Sequence, residues 1–240
     1  MTLSVENLQV KLFADGADLS GMLEMNAKPY IKGLTTNPTL MRKAGITNYK
    51  EFASEVLSQI KEKPISFEVF SDDLEIMKRQ ALEIASWAEN VYVKIPVTNT
   101  LGISTSPVIE FLVKQGVKVN VTALMTSEQV ETVARVLDPN VPSYVSLFAG
   151  RISDTGRNPE PIMKRALEIL EKLDRTELIW ASPRELLNVF QANSIGCHII
   201  TATTDILNKL KLVGYELENY SLDTVKMFYT DARDAGYEIK

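Results

Sequence analysis

The segment Val91-Tyr92-Val93-Lys94-Ile95 carries the clearest strand pattern in this chain. Its two valines and its isoleucine fall at every second position and share one face, while the tyrosine and the lysine fall on the other face. β-Branched residues in a short run of this kind predict a buried strand. The apolar face needs a hydrophobic layer against it, and the lysine needs polar neighbours.

Seven further runs of the same kind occur along the chain. We place the eight predicted strands at Val10–Ala14, Ile31–Thr35, Ile65–Val69, Val91–Ile95, Val117–Thr122, Tyr144–Phe148, Leu178–Ala181 and His198–Ala202. Their starts lie 20 to 34 residues apart, which leaves room for one helix and two loops in each interval. Apolar residues at helical spacing predict helices over Tyr49–Ile60, Ile76–Ala88 and Pro161–Leu173, and Thr126 or Ser127 is suited to cap another.

Eight repeated β-α units in 240 residues predict an α/β fold, a single (β/α)8 TIM barrel that spans residues 1–240. No linker rich in glycine, proline and serine divides the chain. The alternative is an open, doubly wound sheet, which usually carries a glycine-rich dinucleotide fingerprint. The sequence contains neither GxGxxG nor a P-loop motif, and this favours the barrel.

The composition excludes several kinds of site. Cys197 is the single cysteine and His198 the single histidine, so intrachain disulfides, four-cysteine zinc sites and histidine-rich metal sites are excluded. The net charge is −5 and there is no long basic run, which argues against a nucleic-acid partner. Without an 18-residue apolar run or a secretion signal, we expect no membrane partner and a reduced, cytoplasmic chain.

In a closed barrel, alternate strand residues face the surrounding helices and the lumen. Because the helix-facing set is apolar, strands three to six should point their polar set inward, namely Ser66, Glu68, Tyr92, Lys94, Lys118, Asn120, Thr122, Tyr144 and Ser146. Strands seven and eight do not alternate cleanly and allow no such assignment. Asp15 and Asn37 stand just past the ends of strands one and two. Polar groups thus converge near the C-terminal mouth, where barrel enzymes keep their active sites.

A lysine inside a barrel lumen has two interpretations. It forms a structural ion pair with Glu68 or Asp15, or it serves as a nucleophilic amine. Burial lowers the pKa of a lysine from its usual value and frees the lone pair to attack a carbonyl. Two nearby carboxylates and a hydroxyl that holds a water would supply the proton transfers that imine chemistry requires.

Six segments of the chain resemble the transaldolase family, and they occur in the order that the family carries them. They are Phe13–Asp15, Gly33–Leu40, Val91–Thr98, Asn120–Thr122, Ser146–Ile152 and Ala181–Arg184. The likeness runs from about Val10 to the C-terminus. It is to the short branch of the family, which includes fructose-6-phosphate aldolase.

The resemblance implies a set of catalytic roles and no cofactor or metal. Lys94 would form the imine, and Asp15 would be the acid/base at the substrate hydroxyl. Glu68 and Thr122 would hold the catalytic water. The implied reaction transfers a dihydroxyacetone unit from sedoheptulose 7-phosphate to glyceraldehyde 3-phosphate, which gives erythrose 4-phosphate and fructose 6-phosphate in the pentose phosphate pathway.

The resemblance also implies a binding site for sugar phosphates. The residues that would contact the three-carbon unit and the phosphate are Asn37, Asn120, Ser146, Phe148, Arg151, Ser182 and Arg184. A guanidinium is a planar fork that matches phosphate oxygens, and an acidic chain needs a local positive site to bind anionic sugars. The alternative for Arg151 and Arg184 is an ordinary pairing with surface carboxylates.

Two other functions compete with transaldolase. The same short scaffold carries fructose-6-phosphate aldolase, whose members tend to have glutamine, leucine and tyrosine where this chain has Glu68, Asn120 and Phe148. A tyrosine hydroxyl at position 148 could influence proton supply to the carbanion, which a phenylalanine cannot do. A non-catalytic phosphosugar-binding barrel is the other alternative, and the combination of lysine, carboxylates and arginines argues against it.

The last segment predicts a helix beyond the barrel. Asp205–Lys211 already supplies an eighth helix, so Ser221–Ala235 is additional, within a C-terminal extension of residues 221–240. An apolar stripe runs along it, formed by Leu222, Val225, Phe228, Tyr229 and Ala232. A stripe of this width needs a partner surface. Either the helices of the barrel cover it, or, as the resemblance implies, it packs on a neighbouring subunit of a pentamer or decamer.

Overall fold

A computed structural model of the chain describes residues 5–239, so residues 1–4 and 240 of the predicted domain lie outside the described part. Eight parallel strands pair in chain order, and β8 closes on β1 to form a barrel. The strands are β1 Lys11–Asp15, β2 Ile31–Thr35, β3 Ile65–Glu68, β4 Val91–Pro96, β5 Val119–Leu124, β6 Ser143–Leu147, β7 Thr176–Trp180 and β8 Ile199–Thr203. The predicted (β/α)8 barrel is confirmed, with strand ends displaced by at most two residues.

Helices connect the strands and surround the barrel. They are α1 Leu19–Ala27, α2 Pro38–Lys43, α3 Tyr49–Gln59, α4 Leu74–Ala85, α5 Ser106–Val113, α6 Ser127–Ala134, α7 Ala149–Asp154, α8 Glu160–Leu170, α9 Leu187–Ser194, α10 Thr204–Leu207 and α11 Leu217–Asp234. Two short 3₁₀ helices cover Val5–Asn7 and Asn208–Leu212. The predicted eighth helix over Asp205–Lys211 is therefore one α-helical turn that continues as a 3₁₀ helix.

Polar caps fix where five of these helices begin. Asp18, Asn37, Asn48, Asp73 and Thr126 each accept a backbone N–H bond from the residue three positions further along the chain. Such a bond satisfies one of the donors that the first turn of a helix leaves open. Thr126, rather than Ser127, is the cap of α6, and Gln129 completes a capping box there.

Two apolar layers hold the barrel. The larger layer lies between the strands and the helices, and the smaller one fills the lumen with Phe13, Tyr144, Ile179, Ala181 and Ile199. The inward position predicted for Tyr144 is confirmed by this inner layer. Ile179 on β7 and Ile199 on β8 belong to this inner layer, so these strands carry apolar residues on the lumen face as well, and this is why their sequences do not alternate.

A close contact closes one side of the lumen. The ring of Phe13 lies against the backbone of Gly33 on the neighbouring strand β2. A Cβ atom at position 33 would stand 2.4 Å from Cζ of that ring, so the two residues fit only because one is glycine.

Helix α11 extends beyond the barrel and begins four residues before the predicted Ser221. None of its residues is buried, and Leu222, Val225, Phe228 and Tyr229 are 51% to 69% exposed. Within residues 5–239, no helix therefore covers the apolar stripe, and the expectation that the helices of the barrel cover it is wrong. Among residues 5–239, no helix combines the length and the apolar character that crossing a membrane would need.

Candidate active site

A cavity of about 540 Å³ opens at the C-terminal ends of the barrel strands. Ten of the eleven residues that the sequence assigned to a site line it, namely Asp15, Asn37, Glu68, Lys94, Thr122, Ser146, Phe148, Arg151, Ser182 and Arg184. The cavity is also lined by residues that the sequence did not single out, which include Thr35, Lys43, Ala123 and Thr201. Strand register explains the convergence, because Glu68 pairs with Lys94 across β3 and β4, and Lys94 pairs with Asn120 across β4 and β5.

Lys94 is the buried cation of this cavity, with 6% of its surface exposed. Its Nζ donates to the backbone carbonyl of Thr36 at 3.0 Å and lies 3.3 Å from Oε2 of Glu68. The structural interpretation predicted an ion pair between Lys94 and Glu68. That pair is present, and both residues line the cavity. Thr36 is held in turn, because its hydroxyl donates to the carbonyl of Ser66 at 2.8 Å. The backbone of two neighbouring strands thus aims the amine into the cavity.

Asp15 is the last residue of β1 and lines the cavity. Burial raises the pKa of its carboxyl, while Lys94 and hydrogen bonds from Thr35 and Asn37 oppose that rise. The Thr35 hydroxyl donates to Oδ1 at 2.7 Å, and Nδ2 of Asn37 approaches Oδ2 at 3.4 Å. Since 3.4 Å is long for a hydrogen bond, Oδ2 keeps the capacity to accept a proton from a ligand.

Thr122 offers a second open position in the cavity. Its hydroxyl is buried and has no hydrogen-bond partner among the described residues. A buried polar atom of this kind is usually satisfied by water or by a ligand. Thr122 pairs with Pro96 across β4 and β5, two residues beyond the pair of Lys94 with Asn120, and both Thr122 and Lys94 line the cavity.

Asn120 occupies a different place from the one expected. Its side-chain amide donates to Oγ of Ser66 at 2.9 Å, and its carbonyl oxygen accepts from the Ser146 hydroxyl at 2.7 Å. The residue has no exposed surface and does not line the cavity. Of its two side-chain partners, Ser146 lines the cavity. Asn37, in contrast, lines the cavity and also caps α2.

The two arginines of the cavity differ in their partners. Nε of Arg184 donates to Asp154 at 2.8 Å, and its Nη1 donates to the carbonyl and the hydroxyl of Ser182 at 2.9 Å each. Arg151 lies with its guanidinium carbon 5.8 Å from the centre of the Phe148 ring. It forms no ion pair with any carboxylate of residues 5–239, so it is the freer of the two cations.

A strained segment builds the arginine side of the mouth. Ser182 has a φ of 60°, which residues other than glycine seldom adopt, and it lies two residues beyond the end of β7. Gly150 lies so close that a Cβ atom there would be 1.5 Å from the Ser182 carbonyl oxygen. Ala123, the fifth residue of β5, has a φ of 65° as well. Strain of this kind concentrates at functional sites.

The structure adds residues that sequence reasoning missed. The Thr35 hydroxyl donates a hydrogen bond to Asp15 and forms another with the Thr201 hydroxyl. Asp154 accepts a hydrogen bond from Arg184. Thr35 lies within the segment Gly33–Leu40 and could have been found there. Thr201 gave no signal, because β8 does not alternate. Asp154 follows Arg151 by three residues on α7, but only the fold brings it to Arg184.

His198 and Cys197 lie away from the cavity. The Leu178 backbone N–H donates to Nδ1 of His198 at 2.9 Å, and burial lowers the pKa of the imidazole. Burial raises the pKa of the Cys197 thiol to about 12. Neither group lines the mouth.

A (β/α)8 barrel whose mouth holds a buried lysine, two carboxylates and two arginines has the architecture of an aldolase-type protein. The model of the Transaldolase/Fructose-6-phosphate aldolase family matches residues 12–239. The chain belongs to that family and is an enzyme of the aldolase/transaldolase type.

Curated relatives agree with this membership. The chain is 36% identical over 231 residues to a probable transaldolase of Thermoanaerobacter sp. (strain X514). The alignment covers 96% of this chain and all of the relative. It is 35% identical over 202 residues to a probable transaldolase of Methanococcus maripaludis, covering 84% of this chain and 89% of the relative.

A solved structure shares the fold alone. The 3-keto-L-gulonate-6-phosphate decarboxylase of Vibrio cholerae superposes with a TM-score of 0.55 at 10% sequence identity, covering 82% of this chain and 88% of the other.

Proposed function

We propose that the protein is a transaldolase. It would transfer a dihydroxyacetone unit from a ketose phosphate such as sedoheptulose 7-phosphate to glyceraldehyde 3-phosphate, as a cytoplasmic step of the pentose phosphate pathway. The observation that carries this proposal is the position of Lys94, whose buried amine lies 3.3 Å from Glu68 and interacts with Asp15 in one cavity. Imine formation requires an amine with acid and base groups at this range.

The reaction begins when Nζ of Lys94, after giving a proton to Glu68 or to water, attacks the ketone carbon of the donor. Loss of the former ketone oxygen as water leaves an iminium ion on the lysine. Asp15 then removes the proton from the hydroxyl that becomes the aldehyde. As the carbon–carbon bond breaks, the iminium nitrogen takes its electron pair and an enamine forms.

The second half of the reaction reverses these steps with a new aldehyde. The enamine carbon adds to the acceptor carbonyl, and the Asp15 carboxylic acid returns its proton to the developing alkoxide. A water held between Glu68 and the Thr122 hydroxyl then hydrolyses the imine and frees Lys94. The unpartnered hydroxyl of Thr122 supports this role, because a water at that position would satisfy it.

Binding of the substrate depends on the opposite side of the mouth. Arg151 supplies a guanidinium with free donors, and Arg184 and Ser182 complete a phosphate site that is anchored by Asp154. Asn37 and Ser146, which both line the cavity, would bind the hydroxyls of the three-carbon unit. Asn120 would act by fixing the Ser146 hydroxyl.

Two residues favour transfer over simple cleavage. A transaldolase must keep the enamine until an acceptor arrives, so it must limit protonation of the enamine carbon. Phe148 lines the cavity without any ionisable or hydroxyl group, and Glu68 forms an ion pair with Lys94. Release of free dihydroxyacetone would instead indicate the aldolase activity of the same family.

One experiment tests the proposal at two levels. The protein is incubated with fructose 6-phosphate and borohydride, and the covalent adduct is located by peptide mass spectrometry. We expect it on Lys94, and no adduct at all would indicate a binding protein. A parallel assay with fructose 6-phosphate and erythrose 4-phosphate measures transfer to sedoheptulose 7-phosphate, together with free dihydroxyacetone. Release without transfer would refute transaldolase in favour of aldolase.

We also propose that the chain forms a homo-oligomer, such as a pentamer or a decamer. The apolar stripe of α11 supports this, since it faces away from its own barrel and needs a covering surface.

A further inference from the structure

Three neighbouring strands, β2, β1 and β8, carry a chain of hydrogen bonds that ends on Asp15. The Thr35 hydroxyl donates to Oδ1 of Asp15 at 2.7 Å, and the hydroxyls of Thr35 and Thr201 are 2.6 Å apart. A threonine hydroxyl has one proton to give. While Asp15 is ionised, Thr35 gives that proton to the carboxylate, so the proton between the two threonines belongs to Thr201.

The Thr201 side chain lies at the border between the apolar lumen and the polar cavity. The residue two positions earlier on β8, Ile199, belongs to the apolar layer of the lumen, whereas Thr201 lines the cavity with 6% of its surface exposed. Thr35 is 2% exposed, and within residues 5–239 its hydroxyl bonds to Asp15 and Thr201 alone. The orientation of the Thr35 hydroxyl therefore depends on Thr201.

We propose that Thr201 is a positioning residue for the reaction, which acts through the Thr35 hydroxyl to hold Oδ1 of Asp15 and to leave Oδ2 for the substrate. This inference rests on the proposed function for its catalytic meaning. Donation from Thr201 polarises the Thr35 hydroxyl and strengthens its bond to the carboxylate, because hydrogen bonds in a chain reinforce one another. The ionised form of Asp15, which accepts the substrate proton, is thereby favoured.

Other charged groups near Asp15 act from different directions. Lys94 on β4 favours the ionised carboxyl, and Glu68 on β3 is already paired with that lysine. A second cavity on the outer side of Asp15 is lined by Asp18, Lys43 and Asp205. None of these groups is in hydrogen-bond contact with either threonine in the described part of the chain, so a change at Thr201 reaches Asp15 through Thr35.

The test follows the titration of Asp15 directly. Aspartate carboxyl carbons are labelled with ¹³C, and the Asp15 signal is assigned by its loss in Asp15→Asn. We expect Thr201→Val to move the midpoint upward by about 0.2–0.5 pH unit, and Thr35→Val to move it by roughly 1–2 units. Thr201→Ser, which keeps the hydroxyl, should restore the wild-type midpoint. In the Thr35→Val background, Thr201→Val should add nothing.

Thr176→Val is the matched control, since Thr176 is a buried threonine on β7 whose hydroxyl has no partner among the described residues. It should leave the midpoint unchanged. An unmoved midpoint in Thr201→Val, an equal shift in Thr201→Ser, or a full shift in the Thr35→Val background would each overturn the inference. If the valine variant does not fold, Thr201→Ala replaces it with the same expectations.

Kinetics separate this inference from the proposed function. The acidic limb of the kcat/KM profile for transfer should move in Thr201→Val by the same amount as the Asp15 midpoint, with KM nearly unchanged. If the titration shifts as expected while the wild-type protein forms no borohydride adduct, the proposed function fails and the hydrogen-bond chain stands. If the adduct forms and the midpoint does not move, only the role of Thr201 fails.

Discussion

Replacing Lys94 by methionine tests the chemistry and the energetics of the site at once. Methionine keeps much of the stem volume and removes the amine, so the covalent route has no substitute nucleophile. We expect turnover to fall below about one hundredth of the wild-type value and the borohydride adduct to disappear. Activity above that level, or an adduct elsewhere on the chain, would exclude Lys94 as the imine-forming residue.

The same variant has a cost in stability that the structure lets us estimate. The side chains of Lys94 and Glu68 are 8% and 17% exposed, so the substitution leaves a nearly buried carboxylate without its cation. Breaking a buried pair costs about 3–5 kcal/mol, and the opening of Glu68 to the cavity places this case near the lower end. About 3 kcal/mol corresponds to a fall in Tm of roughly 6–12 °C for a chain of this length.

Calorimetry of a small set of variants checks this estimate. Lys94→Met combined with Glu68→Gln should recover most of the lost stability, because no unpaired charge remains. Lys50→Met is the matched control, since the Lys50–Glu83 pair is 73% and 53% exposed and its loss should leave the Tm nearly unchanged. A Lys94→Met protein as stable as the wild type, or no recovery in the double variant, would refute the energetic reasoning.

Three further predictions follow from the site and from α11. Phe148→Tyr should raise the ratio of free dihydroxyacetone to transferred product, because it brings a hydroxyl to the cavity; an unchanged ratio removes position 148 from the specificity argument. Asp15→Asn should raise the free energy of unfolding at pH 7 by about 1 kcal/mol. Burial raises the folded-state pKa of Asp15, so this gain should vanish below about pH 3.9, where the wild-type carboxyl is protonated in both states; a gain that persists in urea titrations at pH 3 contradicts this. Ending the chain after Glu216 should reduce the sedimenting mass of the assembly, and a full-length 26.8 kDa monomer at micromolar concentration would refute the oligomer.

The sequence alone predicted the barrel because its determinants are local. Each strand is a short β-branched run, and the intervals between runs each hold one helix, so the order of the elements follows from counting. The alternation of Val91–Ile95 placed Lys94 on the lumen face without any knowledge of its neighbours. The polar residues at strand ends predicted most of the cavity, since parallel strands bring their C-terminal ends to one rim.

The tertiary structure decided what those residues do to each other. Whether Asn120 faces the cavity or lies behind Ser146 depends on the depth of its layer in the lumen, which no spacing along the chain encodes. The link from Asp154 to Arg184 joins residues 30 positions apart through the close approach of Gly150 to Ser182. The link from Thr201 to Thr35 spans 166 positions and forms only because β8 closes on β1. Hydrogen bonds of this kind depend on distances of a few tenths of an ångström, and such distances exist only once the barrel is closed.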